Sequence, residues 1–191
     1  MKLILHSPSS DTDIKEVYSR AFTEAVKLYV VTAYLTEWDV DLELSPECEK
    51  FRVIVGKDFG ITKKSACLKV MNWLPAERKS QFMVADAIDG FHPKAIFWKD
   101  REGKFFSLIG SSNLTKAAFE TNYEANIFSE ISSKDFLKAE RWVREIEEQA
   151  VVVSEDWLDE YQEGKSLPNK KKKGNSTRVK ALELPRPKGS S

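Results

Sequence analysis

The chain has 191 residues, of which 41% are hydrophobic, with 30 basic side chains, 30 acidic side chains and two histidines. This length suits one domain with a full hydrophobic core, and the composition excludes a disordered or fibrous protein. No apolar run is long enough for a membrane helix, and the apolar residues at positions 3–5 are too few for a signal peptide, so a cytoplasmic protein is expected.

The formal net charge of zero conceals an uneven distribution. Residues 165–191 contain nine basic side chains and one acidic side chain, which leaves a net charge of −8 on residues 1–164. An acidic body is unfavourable for binding nucleic acid, because phosphate affinity comes mainly from Lys and Arg. The lysines at 170–173 indicate either a nucleic-acid-binding arm or a solubilising terminus or linker. Residues 165–191 are predicted to be a disordered tail.

In chain order, the spacing of apolar side chains predicts alternating strands and helices. Strands are predicted at residues 2–5, 27–34, 51–55, 81–85, 91–98, 105–109, 123–128 and 151–153. Helices are predicted from a cap at Asp11 or Thr12 to Ala25, and at residues 62–73, 113–121, 134–149 and 155–163. Because a strand, a helix and a strand open the chain, the first two strands are expected to form a parallel pair joined by a right-handed crossover.

Three local features complete this pattern. Thr62, Ser133 and Ser154 are predicted to cap their helices. Residues 36–49 alternate apolar and acidic side chains, which indicates a half-exposed strand, with a short acidic helix as the alternative. The two cysteines lack the spacing and companion histidines of a zinc site, so free thiols are expected.

The residues that carry chemistry lie between positions 91 and 124. His92 and Lys94 stand two apart on a predicted strand and therefore point to the same face. The turn Gly110-Ser111-Ser112-Asn113 follows the next strand, and Glu124 lies near the start of another. Imidazole can attack phosphorus or transfer protons, Lys and Asn can hold phosphoryl oxygens, and a carboxylate can orient the imidazole. This set suits phosphate chemistry that uses no metal and no cofactor.

The order His-x-Lys, Gly-Ser-x-Asn and Asn-x-Glu resembles the signature of the phospholipase D superfamily. The single copy in a short chain is most similar to the bacterial nuclease and restriction-endonuclease branch. The resemblance implies an α/β fold with a central mixed β-sheet flanked by helices. It also implies metal-independent hydrolysis of DNA through a phosphohistidine. The catalytic domain is predicted to end at residue 164, where the composition changes to that of the tail, and thus to span residues 1–164. The family pattern places an Asp where this chain has Lys99. The strands at 91–98 and 105–109 are predicted to form a hairpin closed by the charged turn at 99–104, and Asp100 is expected to serve this hairpin, because side chains alternate along a strand.

The implied mechanism needs two imidazoles, one as nucleophile and one as acid and base. Superfamily members with a single motif resemble half of a two-motif enzyme, so the second imidazole is expected to be His92 of a second subunit in a symmetric homodimer. His6 is expected to be structural, and an acid role for it within a monomer is the alternative.

The resemblance also implies roles for the remaining site residues. Lys94 and Asn113, assisted by Ser111, would stabilise charge on the phosphoryl oxygens. Glu124 would fix the tautomer of His92, and Ser112 occupies the variable position of the pattern.

Three competing functions remain open from the sequence. One is a metal-dependent nuclease that uses Glu102 and Lys104 with Asp86 or Asp89, although the first two residues fall in a predicted hairpin tip. A lipid phosphodiesterase is another, disfavoured because no apolar segment indicates a membrane contact. The last is a catalytically silent nucleic-acid-binding or dimerisation module of the same fold.

Overall fold

The computed structural model describes residues 1–9 and 13–164, in which eight strands and five α-helices alternate along the chain. The strands are β1 (Lys2–His6), β2 (Ala25–Thr32), β3 (Lys50–Val55), β4 (Phe82–Val84), β5 (Lys94–Asp100), β6 (Phe105–Gly110), β7 (Glu124–Ile131) and β8 (Val151–Val152). The helices are α1 (Asp13–Glu24), α2 (Lys64–Trp73), α3 (Lys116–Glu120), α4 (Ser133–Glu147) and α5 (Glu155–Glu160). The predicted α/β fold with a central mixed sheet flanked by helices is confirmed.

All eight strands form one sheet in the order β1-β7-β6-β5-β2-β3-β4-β8. The pairs β2–β3 and β3–β4 are parallel, and the remaining pairs are antiparallel. The expected parallel pair of β1 and β2 is wrong. Strands β5 and β3 occupy both edges of β2, and β1 pairs with β7 at the edge of the sheet, so three strands separate β1 from β2.

Hydrophobic clusters cover both faces of the sheet. One face packs against α1 and α2, where Phe22 and Val70 are fully buried, and the other packs against α4 through Phe136 and Val143. Full burial of one such side chain contributes about 2–3 kcal/mol. Four aromatic side chains of the strands belong to these clusters or pack against them: Phe97, Trp98, Phe105 and Phe106.

Residues 36–49 form neither of the predicted elements. They make a loop in which Trp38 is buried and Leu42 and Leu44 pack against the core, while Val40 is exposed. The Trp73 indole Nε1 donates to the carbonyl oxygen of Leu42 at 2.8 Å. The alternation therefore reflects a loop that is anchored by its apolar side chains rather than a strand in the sheet.

Two of the predicted helix caps are also wrong. Helix α2 follows an extended Lys63 that makes no side-chain cap, because the Thr62 hydroxyl instead donates to the carbonyl oxygen of Gly56 at 2.6 Å. Helix α4 is capped by Ser132, whose hydroxyl accepts from the amide of Asp135, one residue before the predicted cap. Ser154 caps α5 as predicted.

Other expectations concern termini, thiols and membranes. The predicted caps Asp11 and Thr12 and the predicted tail at 165–191 lie outside the described residues. Cys48 and Cys67 are free, as predicted. Both are also buried, and burial raises their pKa values to about 11 and about 12. Among the described helices, none has the length and apolar content needed to cross a membrane.

Candidate active site

The five predicted site residues gather at one end of the sheet. Strands β2, β6 and β1 end there and the antiparallel strands β5 and β7 begin there. Lys94 and Glu124 are the first residues of β5 and β7, and His92 lies two residues before β5. Ser111 and Asn113 follow the last residue of β6. Antiparallel pairing therefore brings together side chains that lie up to 32 positions apart in the sequence.

His92 and Lys94 are side by side, as their spacing predicts, although the strand begins at Lys94 rather than at residue 91. Lys94 Nζ lies 2.8 Å from His92 Nδ1 and 3.4 Å from Nε2, and it donates to the carbonyl oxygen of His92 at 3.1 Å. An ammonium has no lone pair, so the ring nitrogen that it contacts is unprotonated. The His92 ring also packs edge-on against Tyr34, with centroids 5.8 Å apart.

The ammonium of Lys94 is partly withdrawn from solvent. This burial lowers its pKa, and the negative charge of Glu124 acts in the opposite direction. Lys94 is therefore a cation that has lost part of its hydration and gains from any anion that approaches it. A phosphate oxygen is such an anion.

Asn113 lies in the loop before α3, not at a helix N-terminus as the predicted helix at 113–121 implied. Its Oδ1 accepts from the amide of Tyr34 at 3.2 Å and lies 3.3 Å from the Thr32 hydroxyl. These contacts orient the side-chain amide, and no group in the described part of the chain accepts from its Nδ2. That N–H group remains available to a substrate oxygen.

Ser111 and Glu124 form a hydrogen-bonded pair across the start of β7. The Ser111 hydroxyl donates to Glu124 Oε2 and accepts from the amide of Ala125 at 3.0 Å. Glu124 Oε1 accepts from Asn122 Nδ2 at 3.1 Å. Within residues 1–9 and 13–164, the hydrogen bonds of Glu124 go to Ser111 and Asn122, and those of the His92 ring go to Lys94.

Ser112 and Asn126 form a buried pair beneath this turn. Asn126 Nδ2 donates to the Ser112 hydroxyl at 2.9 Å, and both residues are at most 5% exposed. Ser112 therefore stabilises the turn, which fits its place at the variable position of the motif. Gly110 is required here, because a Cβ atom on it would lie 2.3 Å from the carbonyl oxygen of Ala125.

Asp100 lies at the opposite end of β5, about 20 Å from Lys94 along the strand. Its Oδ1 accepts from the amide of Lys104 at 2.8 Å, and its backbone amide donates to the carbonyl oxygen of Lys104 at 3.0 Å. Asp100 thus holds the turn between β5 and β6. The geometry matches the expected structural role and separates Asp100 from the site.

The alternative metal site does not assemble. Glu102 and Lys104 lie in the turn near the start of β2, whereas Asp86 follows the end of β4, at the other end of the sheet. Asp86 forms an ion pair with Lys57 at 3.1 Å. The described residues contain no group of three or more side chains of the His, Cys, Asp and Glu types placed to hold a metal ion.

Three supporting residues were not predicted. Tyr34 contacts the His92 ring, Thr32 lies beside Asn113, and Asn126 supports Ser112. Thr32 is the register partner of Lys94. Tyr34 and Thr32 would therefore have been predicted near the site if the pairing of β2 with β5 had been predicted.

A cavity of about 710 Å³ lies to one side of the site, between α1, α3 and the loop at 36–44. Its wall includes Leu114 but neither His92, Lys94 nor Glu124. Four acidic side chains of the loop also line it: Glu37, Asp39, Asp41 and Glu43. Together with Glu120, the lining carries five acidic side chains against three lysines, Lys15, Lys69 and Lys116, which is a net charge of −2. This excess of negative charge is unfavourable for a phosphodiester, so the chemistry is assigned to the sheet end.

Comparison with known proteins places these residues in context. A family model described as "Cardiolipin synthase, PLD-like domain" matches residues 18–147, more than half of the chain. The structure of NucT from Helicobacter pylori superposes with a TM-score of 0.56 at 15% identity, covering 80% of this chain and 99% of that one. Nuc from Salmonella typhimurium, a phospholipase D family member, superposes with a TM-score of 0.52 at 15% identity, covering 78% and 95%. At this identity the structural likeness shows the fold. The search of curated proteins gave no significant match.

Proposed function

Because the chain belongs to the phospholipase D-like domain family, whose members act on phosphodiesters, we propose that it is a metal-independent DNA endonuclease that uses His92 as its nucleophile. The observation that carries this proposal is the contact between Lys94 Nζ and the ring of His92. A neutral imidazole has the free lone pair that attack on phosphorus requires. The adjacent ammonium supplies the charge that a phosphoryl oxygen needs as negative charge develops.

The first step forms a bond between a His92 ring nitrogen and phosphorus and breaks the bond between phosphorus and the leaving oxygen. The leaving oxygen takes a proton from a second imidazole, which then accepts a proton from water as water attacks the phosphohistidine. His92 and the acid are both regenerated. Neither step changes an oxidation state.

The other site residues hold the phosphoryl group and orient the nucleophile. When a phosphate oxygen replaces His92 as the acceptor for Lys94, Asn113 Nδ2 is a neutral donor for the remaining charge. The Ser111 hydroxyl becomes a second donor when its proton turns from Glu124 to the phosphate. Glu124 is the carboxylate whose charge acts on Lys94. We assign to Glu124 the role of orienting the His92 ring once the Lys94 ammonium binds the phosphate.

The acid in this scheme comes from His92 of a second subunit. His6 stands on β1, three inter-strand spacings of about 4.8 Å from β5, or roughly 14 Å. Two imidazoles that serve one phosphorus must each lie within about 3.5 Å of a reacting atom. A symmetric homodimer, in which two copies of His92 face one phosphate, satisfies this requirement.

The decisive assay measures cleavage of plasmid DNA with and without excess EDTA, using the wild-type chain and the His92→Ala variant. We expect equal wild-type rates under both conditions and no cleavage by His92→Ala. Strict dependence on added magnesium would contradict the proposal. A fluorescent phospholipid is tested as the second substrate, since the family description names cardiolipin synthase. Hydrolysis of the lipid but not of DNA would contradict DNA as the substrate and leave the proposed role of His92 in place.

The matched control is Lys99→Met, which removes a cation from the same strand at a position that packs over Phe105, away from the site. It is expected to cleave DNA as the wild type does. Loss of activity in this control would mean that damage to β5, rather than chemistry at residue 92, explains the result.

A further inference from the structure

His6 is a buried imidazole that the proposed reaction does not use. It is the last residue of the edge strand β1, it is 6% exposed, and its register partner is Glu124. Its Nδ1 lies 2.9 Å from the carbonyl oxygen of Asn122. A carbonyl oxygen only accepts hydrogen bonds, so His6 Nδ1 carries a proton and donates it to this oxygen.

A set of hydrogen bonds leads from His6 through Asn122 and Glu124 to Ser111. Asn122, whose backbone oxygen accepts from His6, also donates from its side chain to Glu124 Oε1 at 3.1 Å. Glu124 Oε2 accepts from Ser111, and the Ser111 hydroxyl accepts from the amide of Ala125. Each bond fixes the next polar group, so a change at His6 is transmitted toward Ser111.

The segment at 121–123 has little else to hold it against the sheet. Its three side chains are exposed, and Tyr123 is 83% exposed. The amides of Thr121 and Asn122 donate to the carbonyl oxygen of Ala117 at 2.9 and 2.8 Å, which ties the segment to α3, a helix of five residues. The bond from His6 is the tie between this segment and strand β1.

We infer that His6 is a positioning residue for Glu124: by holding the carbonyl group of Asn122, it sets where the Asn122 amide and the Glu124 carboxylate meet Ser111. This inference rests on the proposed function for its kinetic readout alone. His6 itself touches neither substrate nor nucleophile in this role.

Two conservative substitutions separate the roles that His6 can have. In His6→Asn, the side-chain amide nitrogen can occupy the place of Nδ1 and restore the bond to Asn122. In His6→Gln, the amide group extends to the place of Nε2 and leaves the carbonyl oxygen without its donor, although glutamine is closer to histidine in volume. Neither amide can transfer a proton as an imidazole does.

The kinetic experiment compares kcat and KM for DNA cleavage in His6→Ala, His6→Gln and His6→Asn, with the exposed Leu137→Ala as the matched control. We expect kcat to fall by roughly 10²-fold in the Ala and Gln variants, the order of loss caused by a displacement of about 1 Å at a catalytic group. KM should be unchanged, and His6→Asn should recover most of the loss. In a Glu124→Gln background, His6→Ala should cause no further loss, because it acts through Glu124.

Equal loss in the Asn and Gln variants would overturn the inference and indicate that His6 transfers a proton. A fall in kcat that parallels the fall in unfolding temperature across the His6 variants would also overturn the inference and indicate that His6 contributes packing alone. Full additivity with Glu124→Gln would show that His6 acts independently of that carboxylate.

An NMR hydrogen-exchange measurement decides the same question in a protein that cleaves nothing. The amide of Ala125, which donates to Ser111, should exchange at least about tenfold faster in His6→Ala and His6→Gln and within about twofold of wild type in His6→Asn. The amide of Ile4, in the β1–β7 ladder, serves as the reference for general fraying of β1. Unchanged protection of Ala125 in all three variants, or equal changes at Ile4 and Ala125, would reject the positioning role even if the proposed function itself failed.

Discussion

At the scale of single residues, the proposed chemistry depends on the Lys94 ammonium held against the His92 ring. Sequence spacing predicted that His92 and Lys94 share a face, because side chains two apart on an extended segment do so. It did not predict that Glu124 bonds to Ser111 and Asn122, since these contacts depend on how the turn at 110–113 meets the start of β7. Local spacing thus predicts neighbours within a strand, whereas contacts between turns require the fold.

The lowered pKa of Lys94 predicts a change in activity at alkaline pH. Because its folded pKa lies below the ordinary lysine value, Lys94 loses its charge at a lower pH than an exposed lysine does. We expect kcat/KM for DNA cleavage to fall on the alkaline side as that charge is lost, since this parameter reports groups of the free enzyme.

Lys94→Met should lower kcat by about 10²–10³-fold, as expected for the loss of one donor to the developing charge.

The control for this profile is Lys94→Arg, which stays charged throughout the accessible range. If the loss of charge on Lys94 causes the alkaline fall in kcat/KM of the wild type, this fall should be absent from the residual activity of Lys94→Arg. An identical alkaline limb in both proteins would assign the decline to another group.

At the scale of elements, the sequence predicted most strands and helices and the β5–β6 hairpin, but it missed how the other strands pair. The strands of the hairpin, β5 and β6, were recognised from their apolar residues, but their insertion between β1 and β2 was not. A helix between two strands usually signals adjacent parallel partners, and nothing local reveals that β7 takes that place beside β1. The prediction for residues 36–49 was wrong for a related reason. The apolar side chains Leu42 and Leu44 alternate with acidic ones because they pack against the core from a loop, not because the segment pairs in the sheet.

The hairpin also tests the separation of Asp100 from catalysis. Asp100→Ala removes the acceptor for the amide of Lys104 and should lower the free energy of unfolding by about 2 kcal/mol, measured by urea denaturation. Asp100→Asn keeps an acceptor oxygen and should remain within about 1 kcal/mol of wild type. Both folded variants should retain the wild-type kcat. A fall in kcat as large as that of His92→Ala would instead place Asp100 in the reaction.

At the scale of the whole molecule, one chain supplies a single imidazole beside the groups proposed to bind the phosphate, since the chain has two histidines and His6 is directed elsewhere. His6, the other histidine, is turned toward Asn122 and stands about three strands away from β5. The second imidazole is therefore assigned to a second copy of the chain. The domain boundary at 164 stays a prediction from sequence, since the basic residues beyond it lie outside the described part of the chain.

Subunit mixing tests the shared site most directly. Wild-type and His92→Ala chains are co-refolded in known ratios at constant total concentration, and DNA cleavage is measured against the wild-type fraction. Wild type mixed with a tagged wild type serves as the control for exchange. A site that needs His92 from both subunits predicts activity proportional to the square of the wild-type fraction, about a quarter at equal amounts. A linear dependence, with about half the activity at equal amounts, would contradict the shared site.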